Sequence, residues 1–145
     1  MANGNCVQKS GASIRIGGKS LCTGSNDDLW IQDGRGAIRS RADLSLCITD
    51  QGGSNAVKLT TCDLGNDSQV WDTSVAKRIA RGGRCLDLQS GYLTNNVGTL
   101  ITYNCTGGAN QQWAGLIANE SLLLALIDSK YAGLLDSVSS QSKQP

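Results

Sequence analysis

Cys85-Leu86-Asp87-Leu88, then Tyr103-Asn104-Cys105, then Asn110-Gln111-Gln112-Trp113 is the stretch on which the fold turns. Its frame is Cys85, Cys105 and Trp113, in steps of 20 and 8. The same frame occurs twice more, earlier in the chain. Cys47, Cys62 and Trp71 make one copy, with steps of 15 and 9; Cys6, Cys22 and Trp30 make the other, with steps of 16 and 8. All six cysteines and all three tryptophans fall in this register, and Trp recurs in steps of 41 and 42. A period of about 40 residues signals one small supersecondary unit used three times. Three such units can close on one another, so the 145 residues read as one pseudo-threefold domain.

Working outward from the third copy, Arg84 to Leu88 reads as a strand with alternate residues inward. Gln89 to Gly98, with Ser90-Gly91 and Asn95-Asn96, reads as a loop. Thr99 to Cys105 is a second strand, 106–109 turns, and Asn110-Gln111-Gln112-Trp113 begins a third. Between the copies, Gly36-Ala37-Ile38-Arg39-Ser40 and Lys77-Arg78-Ile79-Ala80 supply a fourth, with Ile38 and Ile79 each eight residues after a Trp. The predicted class is therefore all-β, with about twelve short strands. The 18 Gly and single Pro suit many tight turns.

Nothing before Cys6 matches Ile38 or Ile79. The equivalent position after Trp113 falls at Ser121 or Leu122, so residues 120–127 are expected to close the structure as a strand. A competing reading exists, because Leu123, Ile127, Tyr131, Leu134 and Val138 step as a helical face that Asn119 or Ser121 caps. The expected division is one domain over 1–127, with repeats 6–40, 41–80 and 81–127. A tail over 128–145 follows, partly disordered or a short helix, its polar end at 139–145 suiting disorder.

The cysteine spacings are too wide for the close pairs of a zinc site, and the chain has no His, so neither a metal nor another cofactor is expected. Six cysteines allow 15 pairings. Repeat symmetry selects one disulfide per copy: Cys6–Cys22, Cys47–Cys62 and Cys85–Cys105. Such bonds persist in oxidising space, which predicts a secreted or vacuolar protein. Three glycosylation sequons fit that setting, at Asn66, Asn104 and Asn119, with Asn104 beside a cysteine the least suited. Met1-Ala2-Asn3-Gly4 is too polar and short for a signal peptide, which reads as a mature form or an excised domain. No apolar run approaches the length of a membrane span; the longest is Leu122 to Ile127. Net charge is +1, so neither nucleic acid nor membrane insertion is expected. The basic run from Lys77 to Arg84 lacks interleaved aromatics and reads as a solvated face.

These residues resemble the ricin-B type lectin repeat. The similarity rests on Cys85-Leu86-Asp87, Tyr103-Asn104-Cys105 and the Gln-x-Trp sequence Gln111-Gln112-Trp113. It is also carried by Gln69-Val70-Trp71, by the inter-repeat segment Gly36–Ser40, and weakly by Asp28-Leu29-Trp30. It covers about residues 6 to 120. The resemblance implies a β-trefoil fold and a non-catalytic lectin for terminal galactose or N-acetylgalactosamine.

It also implies roles. The family's Asp accepts hydrogen bonds from two sugar hydroxyls, an aromatic just before the second cysteine packs on the sugar's apolar face, and an Asn with the following Gln completes the contacts. A sugar, polar at its rim and apolar on one face, calls for charge-assisted hydrogen bonds and a flat aromatic surface. Repeat three has the full set: Asp87, Tyr103, Asn110 and Gln111. Gln111 reads either as a direct contact or as the residue that orients Asp87. Tyr92, in the following loop, reads either as a wall of the pocket or as plain surface. Repeat two has Thr49, Thr60 and Ser68 at the first three positions and keeps only Gln69. Repeat one has Gln8, Ser20 and Asp27-Asp28. One sugar site is therefore expected, with glycans on glycoproteins or glycolipids as partners.

By family analogy, a catalytic partner chain, a parent toxin or glycosidase, or a homo-oligomer would supply further context. Two rival classes remain. An enzyme would need an acid–base pair, and Asp87 has no sequence-evident partner carboxylate. A β-trefoil interaction protein or protease inhibitor would carry the sugar site as a vestige.

Overall fold

The computed structural model describes residues 4–117 and Ile127. Short runs of alternating apolar residues, broken by glycine turns, give ten strands among them. These are β1 (Cys6–Ser10), β2 (Ser13–Gly17), β3 (Trp30–Gln32), β4 (Ile38–Ser40), β5 (Leu46–Thr49), β6 (Lys58–Thr61), β7 (Ala80–Arg81), β8 (Arg84–Leu88), β9 (Val97–Gly98) and β10 (Leu100–Asn104). They form three antiparallel sheets ordered β1-β2-β9, β3-β4-β5-β6 and β10-β8-β7. This is the all-β, threefold arrangement that the repeat predicts and the β-trefoil that the family resemblance implies. Two further strand positions are single bridges, Ala37 with Val70 and Asp72 with Ala80. A parallel bridge between Trp30 and Ile117 joins the first and third units.

The core is built from equivalent positions. Val7, Ile48 and Leu86, each directly after the first cysteine of its repeat, are buried together with Trp30, Trp71, Trp113, Ile38 and Ile79. A buried indole N–H needs an acceptor, and each repeat supplies the same one. Trp30 donates to Val7 O at 2.9 Å, Trp71 to Ile48 O at 3.0 Å, and Trp113 to Leu86 O at 2.9 Å. The tryptophan of each repeat thus ties its own first strand to the shared interior.

The three disulfides pair as repeat symmetry requires: Cys6–Cys22, Cys47–Cys62 and Cys85–Cys105. Each closes a loop within one repeat, which restricts the unfolded chain by about 3 kcal/mol in the chain-entropy estimate. Replacing Cys47 and Cys62 together by alanine is expected to cost about that much. A urea midpoint unchanged from that of the unmodified chain would contradict it.

Two expectations change. The segments before the tryptophans are not strands but single 3-10 turns, at Asn26–Asp28, Asp67–Gln69 and Ala109–Gln111. A strand would continue past the sheet; the turn instead brings Gln69 and Gln111 inside, where both are buried. Also, the basic run is only partly a solvated face. Arg81 Nε meets Asp50 Oδ2 at 3.2 Å, and Arg81 Nη1 reaches the Asp67 and Val70 carbonyls. Arg84 reaches Thr102 and the Gly53 carbonyl. Both side chains pin the second repeat to the third. The closing strand expected over 120–127 and the tail beyond it lie outside the described residues, apart from Ile127, which is buried and helical rather than extended.

Candidate functional site

The site in the third repeat begins at the strand pair β8–β10. Asp87 stands opposite Ile101, and Cys85 opposite Tyr103. Opposed residues share a face and every second residue returns to it, so Asp87, Tyr103 and the Cys85 side chain lie on one face. Leu86 and Leu88 take the other and enter the core. The burial divides the roles. Asp87 is 4% exposed, whereas Tyr103 is 49% exposed, so its ring is available as a surface. Tyr92, in the loop after β8, is 67% exposed.

The 3-10 turn at Ala109–Gln111 places two amides over the carboxylate. Asn110 Nδ2 donates to Asp87 Oδ1 at 3.0 Å, and Gln111 Nε2 donates to Asp87 Oδ2 at 2.8 Å. The remaining Nε2 hydrogen of Gln111 goes to Asn104 O at 2.9 Å, and its Oε1 accepts from Thr106 N at 2.7 Å and Gly107 N at 3.3 Å. Both donors of the Gln111 amide are therefore engaged, and the residue is 3% exposed. A carboxylate has about four acceptor positions. With one amide on each oxygen, Asp87 keeps acceptor capacity, and its rotamer is fixed from two sides. The structure thus joins Asp87, Asn110 and Gln111 in one hydrogen-bonded cluster, with Gln111 inside it and Tyr103 exposed on the same face of the strand pair.

The same architecture recurs in the second repeat without the charge. Gln69 Nε2 contacts Thr49 Oγ1 at 3.2 Å, Thr60 Oγ1 at 3.0 Å and Thr61 O at 2.9 Å, while its Oε1 accepts from Asp63 N at 2.8 Å. Thr49 and Thr60 hydroxyls bond each other at 2.7 Å. Asp50, next door to Thr49, is engaged by Arg81, by Thr102 and by the Gly52 N–H.

The first repeat holds something that position-by-position reading of the sequence missed. Gln8 Nε2 donates to Asp28 Oδ1 at 2.8 Å and to Leu21 O at 2.7 Å, and Asp28 Oδ2 accepts from Thr23 N at 2.7 Å and Gly24 N at 2.9 Å. This is the Asp87–Gln111 pair with acid and amide exchanged. The amide now sits on the strand and the acid in the turn. The signal was in the sequence: Gln8 and Asp28 fail singly against Asp87 and Gln111, but match them as a swapped pair.

Gln-x-Trp is thus a structural motif here. Its Gln, or the Gln8–Asp28 pair, joins the first strand to the carbonyl just before the second cysteine and to the turn just after it. Among the described residues, no cluster of three or more His, Cys, Asp or Glu side chains could hold a metal, and no helix is long and apolar enough to cross a membrane.

Comparison with known proteins agrees with this geometry. Among curated sequences, the beta-galactoside-specific lectin 4 of Viscum album is 27% identical over 116 residues, covering 77% of this chain and 21% of its own length. The ribosome-inactivating protein SNAIf of Sambucus nigra is 27% identical over 116 residues, covering 68% and 20%. The chain thus spans about a fifth of the length of these relatives. Among solved structures, the C-half of an earthworm R-type lectin in complex with GalNAc superimposes with a TM-score of 0.61 at 19% identity, covering 76% of this chain and 88% of that one. The agglutinin of Abrus precatorius gives 0.63 at 22% identity, covering 77% and 42%. The model of the ricin-type beta-trefoil lectin domain matches residues 1–113. With three equivalent Trp anchors, three in-repeat disulfides and the Gln-x-Trp cluster beneath Asp87, the chain belongs to the ricin-type beta-trefoil lectin family, a family of carbohydrate-binding domains.

Proposed function

We propose that the domain binds terminal galactose or N-acetylgalactosamine at one site, in the third repeat, without catalysing a reaction. The observation that carries this reading is the carboxylate of Asp87, clamped by Asn110 and Gln111 beside the exposed ring of Tyr103. The acid accepts from two sugar hydroxyls, Tyr103 packs on the apolar face, and Asn110 adds a polar contact at the rim. Gln111, with both amide hydrogens engaged, acts by fixing Asp87. Repeats one and two lack a ring at the Tyr103 position, having Ser20 and Thr60 there. Relatives named as beta-galactoside-specific lectins support the galactose class.

One shallow site gives weak binding, on the order of millimolar to micromolar. Biological effect then requires several copies, in a homo-oligomer or beside a catalytic partner chain. Ligands are galactose-type glycans on glycoproteins or glycolipids, met outside the cell or in a vacuole, where the disulfides persist. The sequons at Asn66 and Asn104 allow the domain to be a glycoprotein itself.

A two-dimensional NMR titration with galactose tests the reading. Shifts confined to residues 85–113 are expected. Shifts centred on Gln8 or Thr49 would relocate the site. Silence at millimolar galactose would move the function to another sugar or to a protein partner.

A further inference from the structure

The loop that follows Asp87 is attached to a different repeat. Asn96 Nδ2 donates to Ser20 Oγ at 2.6 Å, and Gly18 N donates to Asn96 O at 2.9 Å. Next to this, β9 pairs with β2 through Ile16↔Gly98 and Gly17↔Val97. Ser20 lies two residues before the second cysteine of the first repeat. It therefore occupies the position that Tyr103 holds in the third. At the position where a stacking ring would stand, repeat one thus has a serine that accepts a hydrogen bond from an asparagine of repeat three.

The fit admits little else. A Cβ on Gly18 would lie 1.7 Å from Asn96 Oδ1, and one on Gly98 would lie 2.4 Å from Leu88 Cδ1 and 2.9 Å from Leu93 Cδ2. Leu93, in the same loop, packs partly buried against the core. Between its two ends the loop takes left-handed backbone at Ser90, Gly91, Asn95 and Asn96. Asparagine visits this region readily, so Ser90 is the residue whose conformation surrounding contacts must hold. The loop begins in the turn Gln89–Gly91, which touches the turn carrying Asn110 and Gln111, and it presents Tyr92 to solvent.

We infer that repeat one serves as the anchor of the third repeat's site loop, with Asn96 as a positioning residue that sets the wall of the sugar site through Ser20 and Gly18. The inference rests on the Asp87 site being the one that binds. It assigns the first repeat a role in the affinity of that site with no ligand of its own. A preorganised wall binds more tightly because less ordering is left to do.

The test uses the full chain. Asn96→Gly keeps the left-handed backbone available and removes the side chain; Ser20→Ala removes its partner. In both, amide exchange across residues 89–98 is expected to accelerate at least tenfold while exchange in β8 is unchanged, and galactose affinity falls roughly five- to tenfold. The double variant is expected to lose no more than either single one, because both cut the same link. Unchanged exchange across 89–98 in both single variants overturns the anchor, whatever the ligand result. A loosened loop with unchanged affinity, in a wild type that binds galactose, overturns the role in the site. A wild type that binds no galactose-type sugar sinks the proposed function instead, and the exchange measurement still decides the anchor.

Discussion

Asp87→Ala is expected to eliminate galactose binding, with affinity reduced by about 100-fold or more. A hydrogen bond to a charged group contributes about 1.5–3 kcal/mol, and the carboxylate is assigned two such bonds from sugar hydroxyls. Their loss removes about 3 kcal/mol at the least, and about 1.4 kcal/mol is a factor of ten. The carboxylate also has a structural duty, since Asn110 Nδ2 and Gln111 Nε2 both donate to it. Alanine leaves those amides without that acceptor at about 1–3 kcal/mol each. Asp87→Asn keeps volume and one acceptor but turns its own amide hydrogens toward the other donor, so it is expected to bind more weakly than wild type and to denature between wild type and the alanine variant. Titration calorimetry against galactose, with a thermal melt on each variant, reads both effects. An alanine variant that folds and binds within threefold of wild type would remove Asp87 from the site.

Trp113→Ala carries the largest expected loss of stability. Removing a fully packed indole costs about 3–5 kcal/mol in transfer and cavity terms. The bond from its N–H to Leu86 O goes with it, and that carbonyl sits in the strand that carries Asp87. Domains of this kind are stable by about 5–15 kcal/mol in all, so the variant is expected to be largely unfolded in mild denaturant. Trp113→Phe keeps a ring but loses the bond to a buried carbonyl, at about 1–3 kcal/mol, plus a smaller cavity term than alanine. Equilibrium unfolding in urea distinguishes the two variants. A loss below about 1 kcal/mol for the alanine variant, well short of the range for a buried indole, would mean that the three tryptophans are not equivalent anchors.

The fold was legible in the sequence where it depends on residues that work alone. Two cysteines at the same place in three copies mark a disulfide, and a tryptophan at the same place in three copies marks a core position. Both features survive divergence of everything around them. The turns before the tryptophans were misread for a physical reason. Gln111 and Trp113 are both buried, two residues apart, and that spacing is the signature of a strand. The sequence does not say that the Gln is inside to hold backbone groups. The Gln8–Asp28 pair escaped because each residue was compared with its counterpart singly. The Asn96–Ser20 contact spans 76 residues and two repeats, and no periodicity encodes it. The candidate site itself was legible residue by residue as a set of four, but not the division of labour within it, which burial alone separates.

The exchange of acid and amide in the first repeat also limits how this protein can change. An aspartate at position 8 by itself would set two carboxylates against each other across a hydrogen-bond distance, a repulsive arrangement. A glutamine at position 28 by itself would pair two amides, which can still hydrogen-bond each other, and would offer the backbone N–H groups of Thr23 and Gly24 the uncharged acceptor that Gln111 gives Thr106 and Gly107. The two single steps therefore differ, because the acid-first step sets like charges together and the amide-first step does not. The order of substitution thus decides whether the first copy can take on the pattern of the third.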